Sequence, residues 1–298
     1  MNITIENRAK LACLYAGAVW GLFWIPLRAL ETTGLHSLWV TVIYFFVCTL
    51  CLVPIAILRW KHVIAGGLQL QITAMLSGGA LFLYMTAIVH TDVVRVILLF
   101  YLTPIWGTLL ARIFLGEAIT PLRIVAMAIA IVGMLTIFGL GAQFPVPKNA
   151  GDWMGLGAGM LWAIASLRIN ILKEFSAIEM TLGFFFWSLV FSVAVALMFA
   201  PAYVPLVTQA MPAMPLLLIF LVLLILPGTY ASLWGPKFIS PGLVGMLFMT
   251  EVVVGSVSVA LLSGEPVGSR EVMGILLITT ASLIEPVASL KRGTHATA

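Results

Sequence analysis

Leu14-Tyr15-Ala16-Gly17-Ala18-Val19-Trp20 and Leu156-Gly157-Ala158-Gly159-Met160-Leu161-Trp162 are the two stretches on which the fold turns. Aligned at an offset of 142 they share Leu, Ala, Gly and Trp in order. A second pair lies further along. Leu99-Phe100, Gly107 and Leu115-Gly116-Glu117 stand against Leu247-Phe248, Gly255 and Ser263-Gly264-Glu265, at an offset of 148. Apolar segments resemble one another by chance, so each match is weak alone. Two matches in the same order at nearly one offset indicate a duplicated unit. The six extra residues fit the long break between positions 201 and 215.

The surroundings of these stretches set the solvent. Of 298 residues, 62% are hydrophobic and 9% charged, and the mean hydropathy is +1.15. A soluble domain carries roughly a quarter charged residues, and a globule this poor in charge would not cover its surface with polar groups. A membrane-crossing helix takes about 20 apolar residues. Breaks rich in polar residues, Pro or Gly divide the chain into ten such segments. They are predicted at 9–30, 35–58, 69–90, 93–114, 121–141, 153–172, 178–200, 215–235, 241–262 and 270–290. The residue 90–95 connection is tight, and the two longest breaks, 141–152 and 201–215, leave no room for a soluble domain. The chain thus reads as an all-α integral membrane protein of ten transmembrane helices. No cleavable leader is expected, because the first apolar run is too long and lacks a small-residue cleavage site.

Charge gives the crossings a direction. With the N-terminus in the cytoplasm, eleven of the fifteen Lys and Arg fall on the cytoplasmic side, and Arg28, Arg95, Lys148 and Arg270 fall outside. That bias places both termini in the cytoplasm. A five-helix unit crosses an odd number of times, so its second copy enters from the opposite face. The expected organisation is a first five-helix repeat over 1–145 and a second, inverted one over 146–298. Such architectures hold a substrate near the midplane between the halves. The scattered basic residues argue against a nucleic-acid partner. Cys13, Cys48 and Cys51 lie inside apolar runs without disulfide or metal-ligand spacing. No phosphate loop, triad or metal motif is present, so no cofactor, metal or catalytic residue is expected.

At this point the residues resemble a known family. Ala16-Gly17-x-x-Trp20, Pro104 with Gly116-Glu117, and Thr250-Glu251 with Gly264-Glu265 are similar to the drug/metabolite transporter superfamily, in its ten-helix EamA-type branch. The resemblance covers nearly the whole chain. Within the family it is most similar to the YddG-type aromatic amino acid exporters. It implies a multi-pass transporter of the cell inner membrane that exports amino acids, aromatic ones among them, and related small metabolites, with the lipid bilayer as its surroundings. One departure stands out. The family often has proline after the glutamate of the ninth helix, and this chain has Val252, which counts against a bend there like that in the fourth.

Several residues are candidates for the site. Gly17, Trp20, Gly21, Trp24 and Arg28 form one stripe of the first helix. Trp162 and Ser166 form the equivalent stripe of the sixth. Tyr84, Tyr101, Tyr230 and Trp234 offer aromatic bodies with polar tips, which at membrane depth need a partner. Each has two readings, cavity wall or helix packing with an interfacial aromatic belt. Pro104 breaks backbone bonding in the fourth helix and is a candidate hinge. Glu251 is the acidic residue placed near mid-helix, at a cost of several kcal/mol unless neutral, paired or wet. It is a candidate for binding a substrate ammonium or for proton coupling. Glu117 and Glu265 read as structural. The rival readings are transport of drugs or nucleotide sugars, and a membrane protein that is not a transporter.

Overall fold

The structure, a computed structural model, describes residues 4–91, 93–138, 146–262 and 268–295. The regular structure among them is entirely helical. Asp92 and the predicted Ser263-Gly264-Glu265 terminus lie outside the described residues. Eight helical stretches, from Ile5–Glu31 to Pro241–Leu262, are long and apolar enough to cross a membrane, and Pro121–Ile137 is a shorter apolar helix.

In chain order the helices are α1 (Ile5–Trp20), α2 (Trp24–Glu31), α3 (Ser37–Ala65), α4 (Gly67–His90), α5 (Val93–Phe100), α6 (Thr103–Leu115) and α7 (Pro121–Phe138). Then come α8 (Ala150–Ile171), α9 (Ala177–Phe199), the short α10 (Val207–Ala210), α11 (Met214–Phe220), α12 (Leu226–Trp234), α13 (Pro241–Phe248), α14 (Thr250–Leu262) and α15 (Ser269–His295). Local chemistry sets their ends. Side chains of Thr4, His36, Asn149 and Ser176 accept bonds from backbone N–H groups of the turns they open, replacing the missing helical acceptors. Gly116 closes α6 at φ 68, a left-handed conformation that suits glycine.

Three predicted helices are broken near their middles. The first interrupts at residues 21–23 between α1 and α2, the fourth at 101–102 between α5 and α6, and the ninth at Met249 between α13 and α14. The last corrects the expectation drawn from Val252, since the ninth helix breaks without a proline. Hydroxyl groups hold both later breaks. Thr103 Oγ1 donates to the Phe100 carbonyl at 2.5 Å and lies 3.3 Å from that of Gly159. Thr250 Oγ1 donates to Leu247 O at 2.8 Å and lies 3.1 Å from Leu14 O. Such bonds satisfy carbonyls that a continuous helix would have used. The eighth predicted helix is distorted differently, by a π-turn over Leu221–Ile225 just ahead of Pro227.

Small residues bring the helices together. α7 lies against α15, where a Cβ at Gly274 would come 2.6 Å from the Gly133 carbonyl oxygen. α6 crosses α13 so closely that a Cβ at Gly107 would meet Pro241 O at 2.7 Å. Without hydrophobic drive between helices in lipid, such close backbone approach is a main source of association. α4 packs on α8, α3 on α9, and α1 on α12, α13 and α14. The breaks of the first, fourth and ninth helices therefore face a common interior.

Candidate substrate-binding site

The site begins where α1 ends. Trp20 is the last residue of α1, and its ring meets Phe23 at 5.9 Å edge-on and Phe184 of α9 at 6.2 Å. Across from them Trp162 of α8 stacks on Phe248, with centroids 5.5 Å apart and planes 26° from parallel. Tyr84 of α4 packs on Phe100 at 4.6 Å. With Ser77, Ala80, Leu81 and Glu251 these rings enclose a chamber of about 50 Å³. A cavity of that size holds a few waters.

Among the described residues Glu251 is the one charged residue on the chamber wall. It sits in the first turn of α14, directly after the break at Met249. Gly21 lets the first helix press onto this turn, since a Cβ at that position would lie 2.7 Å from the Glu251 carbonyl oxygen.

The chamber opens toward one face through a vestibule of about 760 Å³. Trp20, Phe23, Tyr84 and Glu251 line both spaces. The vestibule adds Trp24, Arg28, Glu31, Tyr101 and Glu271. Trp24 is fixed across the mouth: its indole N–H donates to Ser258 Oγ at 2.9 Å, and Ser258 in turn donates to the Gly255 carbonyl at 2.9 Å. The buried Tyr101 hydroxyl faces the Glu251 carboxylate.

At the other end of the bundle polar groups tie the helices together. Arg123 of α7, 11% exposed, donates to both carboxylate oxygens of Glu285 at 2.8 and 3.2 Å and lies 3.4 Å from Glu117 and 3.2 Å from Ser240 Oγ. Asn170 donates to the carbonyls of Pro236 and Ile239 at 2.9 and 3.0 Å, and Lys237 to that of Phe175 at 2.7 Å.

The residues singled out from the sequence divide into three groups. Trp20, Tyr84, Trp162 and Glu251 meet at the chamber, and Trp24 and Tyr101 line the vestibule. Ser166, one turn beyond Trp162, is 1% exposed, and its hydroxyl, like the Trp162 indole N–H, has no partner within the protein. Tyr230 and Trp234 are misplaced by the sequence reading. Tyr230 is 41% exposed on the outside of the bundle, and Trp234 packs on Phe238 at 4.9 Å, away from both spaces. The face of α12 that turns inward carries Gly228, Thr229 and Ser232 instead. Gly228 abuts Val19, whose Cγ1 would be 2.6 Å from a Cβ there. Pro104 is at the second position of α6, just after the break.

Sequence reasoning missed four rings: Phe23, Phe100, Phe184 and Phe248. Phe100 and Phe248 carried a signal, because both belong to the second repeat match. Phe184 carried none, since the run Phe184-Phe185-Phe186-Trp187 puts an aromatic on every face of α9.

No curated protein matches the chain. A solved structure titled "Crystal structure of protein" superposes with a TM-score of 0.74, covering 95% of this chain and 98% of its own at 16% identity, which establishes a shared fold. Residues 7–139 match the EamA-like transporter family, and that match on a multi-helix membrane fold points to a membrane transporter of small substrates rather than an enzyme.

Proposed function

We propose that the protein exports amino acids, chiefly aromatic ones, across the cell inner membrane by alternating access between two inverted five-helix halves. The observation that carries this reading is the chamber itself: aromatic rings on several sides, one carboxylate, and broken helices around it. Stacking and burial would hold an aromatic side chain, while Glu251 would pair with the ammonium group. The helix pairing supports the division into halves. α4 lies on α8 as α12 lies on α1, and α5 and α6 lie on α8 as α13 and α14 lie on α1. Under exchange of the halves each pairing becomes the other. With α7 and α15 as the fifth and tenth crossings, both termini are cytoplasmic, and the vestibule faces outward.

Direction rests on the similarity to aromatic exporters, and Glu251 is the group through which a proton gradient would drive it. A nucleotide sugar fits less well, because its diphosphate needs cationic partners and the chamber wall has none.

Proteoliposomes loaded with buffer and offered labelled tryptophan, phenylalanine, leucine or a nucleotide sugar test the proposal. Tryptophan and phenylalanine should equilibrate faster than leucine, and the nucleotide sugar should stay out. Absence of flux for every amino acid would sink it.

A further inference from the structure

We infer that Arg28, held over Trp24 at the mouth of the vestibule, takes the carboxylate of the substrate and makes the protein select zwitterionic amino acids over the corresponding amines. The inference rests on the amino-acid reading above. It starts from a gap in the chamber. Glu251 would answer the ammonium end of an amino acid, but among the described residues of the chamber wall none is cationic to answer the carboxylate. An ionised carboxylate moved away from water without a partner is costly, so the counter-charge must come from a neighbouring wall.

Arg28 is the cation lining the vestibule, which is continuous with the chamber through Trp20, Phe23, Tyr84 and Glu251. Its guanidinium lies over the Trp24 ring, 5.9 Å from the centroid. That position is one turn back along α2, toward the chamber, as helical side chains prefer. The platform beneath it is fixed, because the Trp24 indole is tied to Ser258 on α14. Glu251 opens the same helix. Glu251 and Arg28 both line the vestibule, from α14 and α2, with Ser258 about 10 Å along α14 from Glu251, so the carboxylate meets Arg28 on the way to the chamber. The planar fork of an arginine matches a carboxylate in two parallel bonds, which a lysine ammonium does not reproduce. Glu31 and Glu271, also on the vestibule wall, would repel a substrate carboxylate that strays from Arg28.

The test compares tryptophan with tryptamine, which lacks only the carboxylate, in proteoliposomes containing the wild type, Arg28→Gln or Arg28→Lys. The wild type should prefer tryptophan. Arg28→Gln should weaken half-saturation for tryptophan about tenfold or more and leave tryptamine within twofold, and Arg28→Lys should fall between. Unchanged tryptamine transport shows that the variant is folded and inserted. Equal losses for both substrates, or no loss for either, would overturn the role of Arg28 while leaving amino-acid transport standing. A wild type that moves tryptamine but no amino acid would overturn the underlying reading as well.

Discussion

Two residues show how much a single position decides. Glu251 is the chamber's charge, and a hydrogen bond to a charged group contributes about 1.5–3 kcal/mol, which corresponds to about 10- to 100-fold in affinity. Glu251→Gln keeps the shape and removes the charge. Half-saturation for tryptophan should weaken by about that factor and any dependence of flux on a proton gradient should vanish, measured in proteoliposomes with and without a pH step. Retained gradient dependence would assign the coupling elsewhere. Gly159 matters for space rather than charge. A Cβ there would lie 2.5 Å from Phe100 O and 3.0 Å from Thr103 Oγ1, at the break of the fourth helix. Gly159→Ala should cost about 1–3 kcal/mol by overpacking, seen as a lower unfolding temperature in detergent. Gly157→Ala, whose nearest neighbour would be Leu83 Cδ1 at 3.8 Å, should be neutral or slightly stabilising. Gly159 is matched to Gly17 in the repeat, whereas Gly157 stands opposite Tyr15. The sequence did not say that Gly159 faces a backbone carbonyl, because that depends on the partner helix.

Elements were legible where one physical term dominates. Apolar length was the clearest signal: eight of the predicted segments coincide with helices long and apolar enough to cross a membrane, and the second of them runs on to Ala65. Internal breaks were legible only where proline announces them. Pro104 marked the fourth helix, and Pro26, which cannot donate to the Leu22 carbonyl, stands in a similar relation to the break at residues 21–23. Met249 breaks the ninth with no proline after Glu251, and the Thr250 hydroxyl that holds that break is invisible to periodicity. Tyr230 and Trp234 were misread for a related reason: one face of α12 was chosen for its rings, whereas glycine and small hydroxyl residues, able to bond their own carbonyls, form the packed face. Thr229 and Ser232 do so at 2.8 and 2.7 Å. It follows that proline is not what keeps the fourth helix broken. Pro104→Ala should retain more than a tenth of wild-type tryptophan flux. Thr103→Val, which strips the hydroxyl from Phe100 O and Gly159 O, should lose more. The reverse order in a transport assay at matched protein levels would make Pro104 itself the hinge.

At the scale of the whole molecule, the chamber communicates with one face, and polar groups tie the helices together at the other. The proposed seal is concentrated at Arg123, which joins α7 to Glu285 of α15, to Glu117 beyond α6 and to Ser240 before α13. A partly buried cation with several partners is costly to leave unmatched, so removing it destabilises the arrangement more than an exposed pair would. In the proposed cycle this cluster must part whenever the opposite face opens. A ligand or a substitution shifts such an equilibrium only by its differential effect on the two states. Arg123→Gln removes contacts made in the sealed state and should raise the population open on the side of α1's N-terminus. Leu243 lines the space beside Arg123 on that side. In a background with Cys13, Cys48 and Cys51 replaced, Leu243→Cys should be modified several-fold faster by an impermeant thiol reagent when Arg123→Gln is added. A cysteine at Val259, on the vestibule wall, should be modified more slowly from the other side. Reciprocal changes at the two faces are what alternation requires. Faster modification at both would mean that the substitution loosens the bundle, and the seal would then be structural rather than part of a transport cycle.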